Sequence, residues 1–149
     1  MAELADIADK CFMSVSCMAA IDRAIAERGV KTVLEYGSGF STYWLARRVE
    51  KVYTVEWNYK WIPYPVKNIT AIYTPRLEEY YLGTLGFVPH CDLILIDCSR
   101  IDWRIGIYKR VRNWNWKVLC VHDWADEYPD ELYDGLEKAK YDSLQMYFK

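Results

Sequence analysis

Between Thr32 and Glu56 the chain carries an apolar run (32–35), two closely spaced glycines (Gly37 and Gly39), a helical stretch (42–49) and a second apolar run (52–55). Apolar runs this short suit strands buried on both faces, and the four pieces in this order make one βαβ unit. The crossover of such a unit is right-handed and packs back onto its own sheet, which leaves later strands few ways to join. Further apolar runs follow at Ile69–Tyr73, at Leu93–Ile96 between Asp92 and Asp97, at 118–121 and at Leu144–Phe148. Helical spacing marks 2–28, with Ser14 or Ser16 as a break and Gly29 as the stop, then Ile101–Val111 and 130–139. The tract 57–65, with its two prolines, reads as a loop or a single short turn. The expected fold class is α/β, a mostly parallel central sheet with helices on both faces.

Residues 1–149 contain no repeat, linker or low-complexity tract, and they read as one domain long enough to bury a core. The net charge of −2 argues against a broad electrostatic grip on nucleic acid, and the basic cluster Arg104, Lys109, Arg110 and Arg112 reads as a solvated helix face. The opening MAELADIADKC lacks the basic start and apolar run of a signal peptide, and no apolar run approaches the ~18 residues of a membrane span. The five cysteines are odd in number and form no CxxC pair, as expected of reduced core thiols in a cytoplasmic protein. Thirteen tyrosines and seven tryptophans serve packing by default, with a pocket for a flat ligand as the sharper alternative.

In open α/β sheets ligands bind beyond the carboxyl ends of the strands. The first such end reads Glu35-Tyr36-Gly37-Ser38-Gly39-Phe40-Ser41-Thr42. The glycines allow a sharp turn and a close approach of backbone to ligand, and Ser41 or Thr42 would cap the helix that follows. Glu56, at the end of the next strand, is placed to accept hydrogen bonds from a ribose diol. A dinucleotide fingerprint would need a third glycine where this chain has Thr42, and Glu35 would repel a pyrophosphate. The same carboxylate attracts the ammonium of a methionine moiety, directly or through water, so the balance favours S-adenosylmethionine over NAD.

The stretch VLEYGSGFSTYWLARRVEKVYTVEWNYKW resembles the first motif and second strand of the class I S-adenosylmethionine-dependent methyltransferases. It is most similar to a small subgroup whose loop reads E-x-G-S-G-x-S-T. DLILIDCSR and KVLCVHDW resemble that family's fourth and fifth strands, so the resemblance spans residues 30–124. It implies a Rossmann-like methyltransferase fold with S-adenosylmethionine as cofactor. It also implies that Glu35, Gly37, Ser38 and Gly39 surround the methionine and ribose portion and that Glu56 binds the ribose. Trp57 either packs against adenine or belongs to the core. Most members of the family carry a seventh, antiparallel strand; this chain is expected to lack it, which would leave 144–148 as an uncovered edge and motivates a homodimer.

Asp97 ends the fourth strand and His122-Asp123 end the fifth, so the three side chains would converge and act as the catalytic group, taking a proton as methyl arrives. No metal is expected; in the alternative, the same Asp97, His122 and Asp123 would ligate a divalent ion. Arg100 and Arg104 read as surface ion-pairing residues, with a grip on an acidic substrate group as the alternative. Asp97-Cys98-Ser99-Arg100 is unlike the tetrapeptide of DNA amino-methyltransferases. The functional expectation is O-methylation of a small-molecule acceptor or a glycan, away from nucleic acid and membranes. A non-catalytic scaffold and an NAD-dependent oxidoreductase are the alternatives.

Overall fold

The computed structural model describes residues 13–76, 90–98, 101–123 and 135–149. In chain order the elements are α1 (Val15–Glu27), β1 (Thr32–Tyr36), α2 (Phe40–Ala46), β2 (Lys51–Glu56), a 3-10 turn (Tyr59–Trp61) and β3 (Ile69–Tyr73). Then come β4 (Leu93–Ile96), α3 (Ile101–Val111), β5 (Val118–His122), β6 (Glu137–Tyr141) and β7 (Leu144–Phe148). One seven-stranded sheet has the order β3-β2-β1-β4-β5-β7-β6. The first five run parallel, β7 runs antiparallel to β5, and β6 antiparallel to β7.

The alternation of a strand's side chains sorts the core into two layers. Val33, Leu93, Leu95, Val118 and Cys120 share a buried cluster with Ile21 and Ile25 of α1 and Trp44 and Leu45 of α2. Their neighbours in sequence, Leu34, Ile94, Ile96, Leu119 and Val121, pack on the other face against Trp103, Ile107, Tyr108 and Val111 of α3. Every residue of β4 and β5 is buried, as a central strand covered on both faces must be. The break expected near the first helix falls at Ser14, whose hydroxyl accepts the Cys17 N–H and caps α1. The part of that expected helix before residue 13 lies outside the described residues. Four thiols, Cys17, Cys91, Cys98 and Cys120, are reduced and buried. Among the described residues no helix is long and apolar enough to cross a membrane.

Two expectations are overturned here. The seventh strand is present, and part of the stretch read as a helix over 130–139 is β6; residues 124–134 lie outside the described set. The sequence Glu-Lys-Ala-Lys-Tyr is made largely of good helix formers and has no apolar run, so its composition points the wrong way. A two-residue turn, with Asp142 at φ 55°, folds it onto β7, and cross-strand pairing decides its conformation. In consequence β7 is not an edge: it lies between β5 and β6, and the edge is β6, whose charged residues discourage further strand addition. The uncovered-edge argument for a homodimer is thereby removed.

Candidate functional site

The parallel strands β1 and β4 are neighbours although their connections run to opposite sides, and this switch point opens a cleft at their carboxyl ends. The cleft encloses about 310 Å³, bounded on one side by Gly37–Gly39, Glu56 and Trp57 and on the other by Asp97, Arg104, His122 and Asp123. That volume lies at the small end of the range for ligand pockets.

The glycine turn has two distinct requirements. Gly37 sits at φ 97°, and a Cβ there would come within 2.7 Å of the Asp97 carbonyl oxygen. It is a joint between the turn and the end of β4. Gly39 is extended at φ 176°, a conformation open to any residue, and a Cβ on it would meet nothing within 4 Å. Gly39 is the N-cap of α2, a position glycine suits, and it leaves the cleft wall open there.

Glu35 does not line the cleft. Its side chain turns under the start of α2, fully buried, and accepts hydrogen bonds from Ser41 Oγ (2.5 Å), Thr42 Oγ1 (2.6 Å) and Thr54 Oγ1 (2.8 Å). Thr42 Oγ1 in turn accepts the Gly39 N–H at 3.0 Å, so the carboxyl braces the turn from beneath. Burial pushes its pKa up to about 7, against the lowering effect of the three hydroxyls and with a smaller raising effect from Asp97. Glu56, by contrast, meets the cleft. One carboxylate oxygen accepts the Ser38 N–H (2.8 Å), with the Ser38 hydroxyl oxygen 3.2 Å away, and the other accepts the Asn58 N–H (2.8 Å). A carboxylate has about four acceptor positions, so this one retains capacity toward a ligand diol. Trp57 is no core residue: it lines the cleft, its ring edge-on to Trp103 at 5.4 Å.

On the opposite side β4 and β5 bring Asp97, His122 and Asp123 together, as their places at adjacent strand ends require. His122 Nδ1 lies 2.8 Å from Asp97 Oδ1, and Nε2 faces Asp123 Oδ1 at 3.7 Å. Burial disfavours the imidazolium, and Arg104 opposes it further. The hydrogen bond and charge of Asp97 with the charge of Asp123 outweigh both, so the His122 pKa is raised above its usual range. Asp123 takes a left-handed backbone conformation at φ 51° and is the exposed member of the three.

Arg104, read from sequence as a surface residue, is buried at the centre of this group. It donates to the carbonyls of Cys98 and His122 and to Asp123 Oδ2 at 3.1 Å, and it lies 3.9 Å from Asp97. The signal was present: Arg104 stands three and four residues before Ile107 and Tyr108, on the buried stripe of α3, whereas Lys109, Arg110 and Arg112 fall off it. Arg100 lies outside the described residues. Phe40, Asn58 and Trp61 also line the cleft and were not singled out by sequence.

Asp97, His122 and Asp123 offer ligand atoms within 4.8 Å of one another. They do not fit a divalent ion well, because the Arg104 guanidinium already lies against both carboxylates and Nδ1 of the imidazole is given to Asp97. A cation would have to enter beside a fixed positive charge.

No protein-family model matches the chain, and no curated protein matches it by sequence. Solved structures do. A Staphylococcus aureus protein described as a caffeoyl-CoA O-methyltransferase superposes with a TM-score of 0.70 at 16% identity, over 99% of this chain and 89% of that one. The MycE methyltransferase of the mycinamycin biosynthetic pathway, solved with Mg and SAH, gives 0.65 at 12% identity, over 98% of this chain but only 48% of its own. Aeropyrum pernix fibrillarin with natively bound S-adenosyl-L-methionine gives 0.52 at 16% identity, over 79% and 65%. Identities this low speak to architecture alone, and on architecture they agree: the chain has the Rossmann-like fold of the S-adenosylmethionine-dependent methyltransferases.

Proposed function

We propose that the protein is an S-adenosylmethionine-dependent O-methyltransferase acting on a small molecule or a glycan. The observation that carries the reading is the open space at Gly39, on the cleft wall beside Glu56 and facing Asp97, His122 and Asp123. The residues present fit the cofactor. Gly37, Ser38 and Gly39 would lie along it, Glu56 would accept from its ribose and Trp57 would offer a flat face to its adenine. Glu35 contributes by bracing the turn. The cleft lining carries three carboxylates (Glu56, Asp97, Asp123) against one guanidinium and one imidazole, an acidic balance that suits a sulfonium cation.

When bound, the cofactor would supply an electrophilic methyl group on its sulfonium, to be taken by an acceptor oxygen as the sulfur leaves as the thioether of S-adenosylhomocysteine. The chain's own part is alignment and proton management. Asp97 holds Nδ1–H of His122 and fixes the tautomer, so the neutral imidazole presents a basic Nε2. His122 takes the proton of the acceptor hydroxyl, and Asp123 stabilises the imidazolium that results. Arg104 is a positioning residue, tying the ends of β4 and β5 together through Cys98 and His122.

Calorimetric titration with S-adenosylmethionine and S-adenosylhomocysteine tests the reading. Micromolar binding, weakened about tenfold or more in Glu56→Ala, is expected, since a hydrogen bond to a charged group contributes roughly 1.5–3 kcal/mol. No binding by the wild-type chain would replace this reading with a scaffold that keeps only the architecture.

A further inference from the structure

We infer that Phe40 and Trp61 form an acceptor subsite for an uncharged, hydroxyl-bearing ring; the inference rests on the methyltransferase reading and names the acceptor class of that same cleft. Both rings line the cleft, yet Phe40 is 49% and Trp61 47% exposed, and neither is used by the cofactor reading, which takes Trp57 for adenine. Exposed apolar surface inside a cleft marks a place where a ligand covers it. Ser38 Oγ donates to the Trp61 carbonyl at 2.7 Å, and the Tyr64 N–H donates to Tyr43 Oη at 2.7 Å, so the backbone at and just after the end of the turn is tied to the glycine loop and α2. Phe40 is the first residue of α2, next to the glycine turn.

Charge narrows the class. The lining is acidic on balance, and the guanidinium of Arg104 is occupied by Cys98, His122, Asp123 and Asp97. Among the described residues no other lysine or arginine lines the cleft, so these residues offer a carboxylate or phosphate on the acceptor repulsion from the acids and no further cationic partner. An uncharged ring stacks on the aromatic faces and leaves a hydroxyl free to reach His122. A sugar ring and a phenolic ring share this chemistry.

The test uses the full chain saturated with S-adenosylhomocysteine. Saturation-transfer NMR would be recorded with two neutral probes, cellobiose and catechol, and with their charged counterparts, glucose 6-phosphate and salicylate. At least one neutral probe is expected to bind more tightly than its charged counterpart, and which one binds separates sugar from phenol. Trp61→Ala should weaken that probe about tenfold and Trp61→Phe should restore most of the loss, in line with stacking on a single ring. Phe40→Ala provides a second, independent loss. Cofactor titration of the same variants should stay within twofold of wild type, which also reports that they fold. Tighter binding of the charged probes, no binding of either neutral probe, or neutral-probe binding indifferent to both substitutions would overturn the subsite. Neutral-probe binding by a chain that does not bind the cofactor would instead overturn the methyltransferase reading and leave the subsite standing.

Discussion

The two sides of the cleft are built on different principles. The glycine-turn side is a matter of backbone: Gly37 is demanded by φ and by the approach of Asp97, and a buried carboxyl with three hydroxyls braces the turn from below. The side at β4 and β5 is a matter of charge: two carboxylates, an imidazole and a guanidinium share hydrogen bonds in a partly buried group. The first side is suited to hold a ligand in one place, the second to change protonation state. Substitutions should therefore divide cleanly, with binding and stability effects on one side and rate and pH effects on the other.

The largest expected effect is on the charged side. His122→Gln should lower turnover by about 10²- to 10⁴-fold, the usual range for a general base, with cofactor affinity nearly unchanged. Single-turnover kinetics beside calorimetry would show it, and an equal loss of affinity would erase the division. Because the His122 pKa is raised, kcat/KM in the wild type should climb at a higher pH than an ordinary histidine would set. Asp97→Asn removes the partner that favours the imidazolium, leaves burial to disfavour it, and should move that climb to lower pH.

Next comes the joint between the sides. Gly37→Ala places a Cβ 2.7 Å from the Asp97 carbonyl at a positive φ, and should cost about 3–4 kcal/mol of stability in urea denaturation. The same substitution at Gly39 should leave stability nearly unchanged and weaken the cofactor instead.

A smaller effect belongs to Glu35. Its carboxyl pKa is raised on folding, from 4.5 to about 7, so the folded chain holds the proton more tightly than the unfolded one. Its contribution is greatest at acid pH and is lost as pH rises through that window. Measured against Glu35→Gln, which does not titrate, the wild type should lose roughly 2–3 kcal/mol between those limits. A difference between the two proteins that stays flat with pH would show that the carboxyl is not so burdened. The smallest effect is set by Arg104: chelation of divalent ions should leave turnover unchanged, and a loss restored by Mg would mean that the guanidinium yields its place.

Much of this division was legible in the sequence, for reasons particular to each part. Strands β1 to β5 and β7 are nearly continuous apolar runs, a pattern that local composition writes plainly. Strand β6 is not, because an edge strand of Glu, Lys and Ala owes its conformation to pairing with β7. The turn at Gly37–Gly39 is local and could be found; that Glu35 points away from the cleft depends on Thr54, nineteen residues on, and could not. Asp97, His122 and Asp123 were within reach because strand ends in a parallel sheet must be neighbours. Arg104 was missed because its charge was weighed without its place on the stripe of α3.

The buried thiols carry a practical consequence. Cys98 follows Asp97 at the foot of the Gly37 joint, Cys17 on α1 and Cys120 on β5 lie in the layer between α1 and the sheet, and Cys91 stands before the opposite end of β4. A thiol sealed in a core reacts with an added reagent only when its neighbourhood opens, so each is a native timer of local unfolding. Rates of modification, resolved cysteine by cysteine with and without S-adenosylhomocysteine, would chart regional breathing without a label being introduced. Slowing confined to Cys98 would localise ligand-induced stiffening to the floor of the cleft, whereas uniform slowing would mean that the domain opens as one piece.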